Sequence, residues 1–455
     1  MKIITAILTF VLTVSCSFSV PGPSRGDSPK TWAELFEAWH EEMNRSYVFW
    51  DLDSPSDEWD KVLDEYMPKF EWLDDPIGEN RLQSLQAYRF FYDIVALLSD
   101  GHYSLQVTDD INDSMDRDIV ISPSAIRKLK ADGADDTDIF WWYGMDLYSE
   151  EIVKSAFYNE TPENIIRYSL GLDFPEDIPE SATESGYPST VLKEYFLIHA
   201  AESQPSALKA FEFMGVIGIT NDDILYIMPS SFPFAAYHQD AMDGKIDGEY
   251  TGLMLSWRER LIEELDAIRE GTSTDKGIVI DLRGNRGGYS SDLTYIWGNM
   301  LSEDITIGYT RRKIGPNRLS YGAWQPWIVS AASDKPLDVP IVVLVNSTTA
   351  SCGELSTMIF RALAEDSHDV TIMGTATMGA HGAVPGNAEE YNAGSFAIEP
   401  WIKLTYTAGS ETAYRDGVSY EGKGIPVDIE VHWDYDSFMA GNDTRLSAGL
   451  EQVLK

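Results

Sequence analysis

The chain has 455 residues and carries 34 Lys plus Arg against 74 Asp plus Glu, a formal net charge of −40. That length suits two or three domains with ample core. The acidity argues against nucleic acid as a partner and against electrostatic docking on anionic lipid, and its ordinary reading is a solubilising surface. Cys16 and Cys352 are the only two cysteines, so zinc-type cysteine clusters are excluded, and no HExxH, phosphate loop or GxGxxG occurs. Asp51, Asp53 and Asp57 lack the glycine and terminal Glu of a calcium loop, so neither a metal nor a cofactor is expected.

In chain order, Lys2, the apolar run Ile3 to Val14 and then Ser15-Cys16 read as a secretory signal, too short to span a bilayer stably. Leu12-Thr13-Val14-Ser15-Cys16 resembles a loose bacterial lipobox with its Leu one place early. The expectation is a lipidated Cys16 and anchorage to the outer membrane, with simple cleavage and release as the alternative. An acylated Cys16 leaves no partner for a disulfide within the chain. Residues 17–29, rich in Ser, Pro and Gly, read as a tether.

Residues 30–108 read as a helical domain: TWAELFEAWHEEMNRSYVFW, DEWDKVLDEYMPKFEWL and LQSLQAYRFFYDIVALLSD place aromatics and leucines at helical spacing. Asp100-Gly101 closes the third helix as a C-cap turn, and His102 opens a short strand, HYSLQV. A lone His there is ordinarily a packing residue, and His40, His199, His238, His368 and His432 have no constellation around them. Residues 109–212 form an inserted subdomain of unknown role, with acidic Pro/Ser-containing loops around candidate helices.

From residue 213 to 455 strands and helices alternate, which predicts a mostly parallel, helix-covered sheet. FMGVIGI and DDILYIMPSSF read as a strand pair, and SWRERLIEELDAIRE as an amphipathic helix. The buried strand Ile278–Leu282 leads into Arg283-Gly284-Asn285-Arg286-Gly287-Gly288. Paired glycines let main-chain N–H groups approach a ligand, although an ordinary βα loop reads the same way. VPIVVLVN is a second buried strand, followed by Ser347 to Ser351 and an amphipathic helix from Glu354. A hydroxyl at a strand's carboxyl end, beside a helix N-terminus, suits nucleophilic chemistry. Ser351-Cys352-Gly353-Glu354 fits a capping box equally well. HDVTIMGTATMGAHG and SFAIEPWIKLTYTAG continue the alternation. Glu421 sits in a polar loop, where a Glu is ordinarily solvated, and DTRLSAGLEQVLK closes the chain as a capped helix.

Together these pieces resemble the tail-specific and tricorn-type serine peptidases, the C-terminal processing peptidase family S41. IVIDLRGNRGG resembles its signature strand and glycine turn, VVLVNSTTASCGE its nucleophile segment, MGTATMGAHG the following loop, and YEGKGIPVDIEV its closing element. LLSDGHYSL resembles the end of the domain that precedes the core in the tricorn-like branch. The resemblance covers residues 30–108 and about 213–455. It implies an α/β fold with a crotonase/ClpP-like βαβ core sheet. One branch of the family takes its base from a Lys where this chain has Ala380; Lys403, the next lysine, lies in a strand. The other branch takes a His at the position of His102 and a Glu at that of Glu421, and there a hydroxyl residue precedes the His, where this chain has Gly101.

The resemblance thus implies acyl transfer by Ser351, with His102 as base and Glu421 as support. The amides of Gly288 and Cys352 would form the oxyanion hole, and His381 is the reserve base. Substrates would be peptides or unfolded exported proteins in the periplasm or cell envelope, since no PDZ-type carboxylate loop is visible between residues 109 and 212. The membrane enters only through the lipid anchor, and the oligomeric state is left open. The rival reading is a non-catalytic module that holds an apolar ligand or peptide on the same fold. An acyl-CoA enzyme is a third, disfavoured by export and by the lack of a basic phosphate pocket.

Overall fold

A computed structural model describes residues 28–53, 58–108, 119–124, 209–211, 215–220, 222–229, 231–243, 248–384, 393–432 and 443–455. Cys16, almost all of the 17–29 tether and nearly all of 109–212 lie outside these residues. The chain divides into two compact units: residues 1–160, 311–323 and 382–411 form one, and residues 161–310, 324–381 and 412–455 the other.

In the first unit the helical expectation holds over Trp32–Ser46, Trp50–Asp53, Glu58–Glu71 and Arg81–Val95. Thr31 and Glu34 make a reciprocal capping box on the first helix, an arrangement that contributes about 1 kcal/mol. The helices bury an aromatic cluster, with Phe36 stacked on Phe70 and the ring of Trp59 packed against those of both Trp39 and Trp50. Each such fully buried side chain contributes roughly 1.5–3 kcal/mol relative to exposure. The third predicted helix ends at Val95, capped by Ala96, well short of Asp100-Gly101. Asp100 therefore serves a different end, described below.

His102 does precede a strand, Ser104–Val107, which lies between Ile119–Ile121 and Ile402–Tyr406 in a four-stranded antiparallel sheet completed by Phe396–Ile398. SFAIEPWIKLTYTAG thus supplies two strands to this sheet rather than continuing the parallel one. Its burial pattern, with exposed Lys403 between buried Ile402 and half-buried Leu404, is that of a one-sided antiparallel strand.

The second unit is built on a seven-stranded sheet. In spatial order its strands are Ile429–Glu430, Val370–Gly374, Ile341–Val345, Ile278–Asp281, Leu225–Pro229, Gly215–Ile219 and Lys209–Phe211. The first five run parallel, and the predicted pair Gly215–Ile219 and Leu225–Pro229 is antiparallel. IVID and IVVLV are buried along their whole length, as strands covered on both faces must be. Ile278, Ile280, Val343 and Val345 face one layer, with Trp257, Leu261, Trp297, Leu355 and Ile359. Val279, Val342 and Leu344 face the other, against Val453 of the C-terminal helix Thr444–Val453. Parallel strands end on one side of such a sheet, so the turns after Asp281, Val345 and Gly374 are neighbours, and they carry the candidate site.

Candidate active site

The turn after Ile341–Val345 is organised by Asn346, whose side-chain oxygen accepts from Thr348 N at 3.2 Å and Thr348 Oγ1 at 2.8 Å. The same oxygen accepts from Gly284 N at 3.1 Å. Thr349 Oγ1 donates to Leu282 O at 2.8 Å and Ala350 N to Asn285 O at 3.0 Å. The nucleophile turn and the glycine turn are thereby zipped together.

Ser351 then adopts φ 53°, ψ −124° immediately before the helix Cys352–Glu365, a region that L residues rarely occupy. Its hydroxyl makes no capping bond, which corrects the capping-box reading. The Glu354 carboxylate takes Thr377 Oγ1 at 2.6 Å, Gly379 N at 2.8 Å and Ala380 N at 2.6 Å. Burial raises Glu354 from the ordinary carboxylate range to about 7, against the lowering effect of these donors and of the Ser351 amide. Glu354 thus fastens the 377–381 loop to the nucleophile helix, and Ser351 N donates to Ala380 O at 2.8 Å. Strain held by surrounding bonds is what keeps a hydroxyl out of the cap and available.

Gly287, at φ +97°, approaches so closely that an added Cβ would lie 2.5 Å from Ser351 Cβ and 2.7 Å from Cys352 N. Phe232 N donates to Gly287 O at 2.9 Å and Tyr289 N to Phe232 O at 2.8 Å, which fixes the peptides on either side of Gly288. Among the described residues, the N–H groups of Gly288 and Cys352 donate to nothing. Cys352 Sγ donates to Gly288 O at 3.1 Å, and burial pushes this thiol far up, so it stays protonated.

Glu421 and His381 meet in the same unit. Glu421 is 1 % exposed, not solvated as its polar loop suggested. Its Oε2 accepts from His381 N at 3.0 Å and lies 3.4 Å from His381 Nδ1. His381 Nε2 is 3.2 Å from Thr412 O. A carbonyl only accepts, so Nε2 carries a proton, and both ring nitrogens face named partners. Ala380 is buried beside the Glu354 carboxylate, so the loop offers no lysine here. Lys403 belongs to the first unit.

His102 also lies in the first unit. Burial lowers its pKa below the usual value, and the Asp100 charge opposes that shift. Its Nδ1 is buried with no hydrogen-bond partner among the described residues. Asp100, read from sequence as a C-cap turn, is fully buried and accepts from His102 N at 2.8 Å.

The family model for peptidase family S41 matches residues 234–431. Those residues are an S41 domain. The carboxy-terminal processing protease CtpA of Bacillus subtilis (strain 168) is 26% identical over 245 residues, 52% of this chain and 47% of that protein. The chain therefore matches about half the length of this curated relative. A crystal structure of a candidate peptidase from Parabacteroides merdae ATCC 43184 superposes with TM-score 0.54 at 19% identity, covering 94% of this chain and 98% of that one. Mature CPAF in complex with lactacystin gives TM-score 0.51 at 12% identity, covering 93% of this chain and 96% of that one. At these identities the superpositions speak for the fold, an α/β architecture with an N-terminal helical region. Ser351, Glu354, Gly287, Gly288, His381 and Glu421 all fall within the S41 domain, and His102 precedes it.

Asn285, Asn346 and Glu354 were not singled out as site residues in the sequence. An Asn in a turn and a Glu three places after a Ser both have ordinary local explanations. For Glu354 the only sequence signal was its place in the nucleophile segment.

Proposed function

We propose that the protein is an exported serine endopeptidase that hydrolyses peptide bonds in peptides or unfolded exported proteins through an acyl-enzyme. The observation that carries this is the Ser351 turn: a strained, uncapped serine with two unclaimed amides, Gly288 N and Cys352 N, on either side of its close approach to the glycine turn. Ser351 Oγ attacks the peptide carbonyl while His102 takes its proton, and the two amides hold the developing oxyanion. His102 then protonates the leaving amine, and water repeats the cycle on the acyl-enzyme. Glu421 supports the site electrostatically.

The bond from His381 Nε2 to Thr412 O favours His102 as the base, since it occupies one ring nitrogen of His381 while the other lies 3.4 Å from Glu421 Oε2. No lysine or metal is needed in this scheme. The proposal takes Cys16 as a lipid anchor to the outer membrane. It also takes the chain as a signal (1–16), a tether (17–29), a helical domain (30–108), an inserted subdomain (109–212) and a peptidase core (213–455).

Fluorophosphonate labelling of the mature chain, read by peptide mass spectrometry, tests the assignment. Label is expected on Ser351, absent in Ser351→Ala, lost in His102→Ala and retained in His381→Ala. Retention in His102→Ala with loss in His381→Ala would reverse the choice of base. A folded wild-type chain that takes no label would replace hydrolysis with the binding-module reading.

A further inference from the structure

Gly101, immediately before the proposed base, has no side chain with which to orient it, yet the neighbourhood of His102 is far from bare. Asp100 is fully buried. Its Oδ1 accepts from His102 N at 2.8 Å, and its Oδ2 accepts from Thr407 Oγ1 at 2.6 Å and Ala408 N at 2.9 Å. Asp100 N in turn donates to Tyr47 OH at 3.2 Å, and Tyr47 bonds to Asp53, which also accepts from Ser99 N at 2.8 Å. Three donors compensate the buried carboxylate, yet none lies on the His102 ring. An Asp100 oxygen and a His102 ring nitrogen lie within 4.8 Å of each other.

We propose that Asp100 is the positioning residue of His102: it fixes the main chain of the base and supplies the negative charge that favours the imidazolium formed when Ser351 gives up its proton. The inference rests on the assignment of His102 as base. Asp100 is the group of this unit whose charge acts on the ring, opposing the depression that burial imposes. The carboxylate is held by Thr407 Oγ1, Ala408 N and His102 N, and the Asp100 main chain by Tyr47 OH, so it cannot turn away from the ring without breaking several bonds. This rigidity is what a positioning group requires.

The test is the titration of the His102 ring, followed by NMR in the full chain with labelled histidine and assigned by comparison with His102→Ala. In Asp100→Asn the ring titration is expected to fall by about one pH unit or more, kcat to drop while KM changes little, and the acid limb of kcat/KM to move down with the ring. An unmoved ring titration in folded Asp100→Asn overturns the proposal, whatever the activity. A lowered titration in a protein that never takes fluorophosphonate upholds the coupling and places the failure on the hydrolytic reading. Thr407→Val keeps the charge and removes one donor from Oδ2, so it is expected to move the ring titration upward. This variant decides the matter if Asp100→Asn does not fold, and an unchanged titration there overturns the proposal.

Discussion

Gly287→Ala isolates the close approach on which the candidate site depends. The added methyl would lie 2.5 Å from Ser351 Cβ, 2.7 Å from Cys352 N and 3.0 Å from Ala350 O. All three are inside normal contact, so the glycine turn and the nucleophile turn must separate by roughly 1 Å, a displacement that costs a reacting group about 10²-fold in rate. Stability suffers twice. The left-handed backbone at φ +97° costs about 1–2 kcal/mol for an L side chain, and overpacking a tight site costs about 1–3 kcal/mol more.

Gly271→Ala is the control: its φ is +66° and an added Cβ meets nothing within 4 Å, so it carries the backbone cost without the collision. Urea unfolding of both variants and the rate of fluorophosphonate labelling at Ser351 are the measurements. Gly287→Ala is expected to be the less stable by about 1–3 kcal/mol and to label about 100-fold more slowly than wild type. Equal stabilities together with a wild-type labelling rate would refute the argument that the glycine is there for proximity.

Two pH dependences follow from buried groups. Glu354 is raised from 4.5 to about 7, so the folded state holds a proton that the unfolded state has lost. Its contribution is complete below pH 4.5 and disappears as pH rises through about 7, a loss of about 3 kcal/mol. Urea unfolding at pH 5 and pH 8 should show that loss in wild type but not in Glu354→Gln, and parallel losses in both would remove Glu354 as the cause. Lys313 has the opposite sign. Its Nζ donates to Asn44 O at 2.8 Å and Arg45 O at 2.6 Å, and burial lowers it from 10.5 to about 7. Stability should therefore rise between about pH 7 and 10.5 relative to Lys313→Met, and a constant difference across that window would count against it.

Periodicity carried most of the fold because the segments it named are covered on one or both faces by apolar neighbours. IVID and IVVLV could hardly be other than parallel strands once a helix followed each. It failed where two physical explanations share one pattern. Ser351-Cys352-Gly353-Glu354 satisfies the spacing of a cap, and only the backbone angles of Ser351 show that the hydroxyl is withheld from it. Glu421 stands in a polar loop and is nonetheless buried, because the loop that covers it lies forty positions earlier in the chain. The strands in SFAIEPWIKLTYTAG were legible, but their sheet was not: register with Ser104–Val107 depends on a partner that no local window contains. The hairpin of Ile305–Arg312 with Gln325–Val329 was not anticipated at all. Gly308 and Pro326 stand inside its two strands, and both residue types argue locally against a strand.

The hydrogen bond between Asp100 and Thr407 joins residues 307 positions apart, and the adjoining strands Ser104–Val107 and Ile402–Tyr406 pair across a similar span. Closing so long a loop is entropically costly before any contact rewards it, so assembly of this sheet is inherently slow. The helices of residues 32–95 can gather their aromatics early, while the strand that follows them stays without its long-range neighbour until most of the chain has been made. A newly made chain would thus remain unfinished at His102 until its last quarter arrives. Fragments cut near residue 108 would leave a sheet edge open and a histidine without its surroundings, so the first hundred residues are a poor candidate for separate expression.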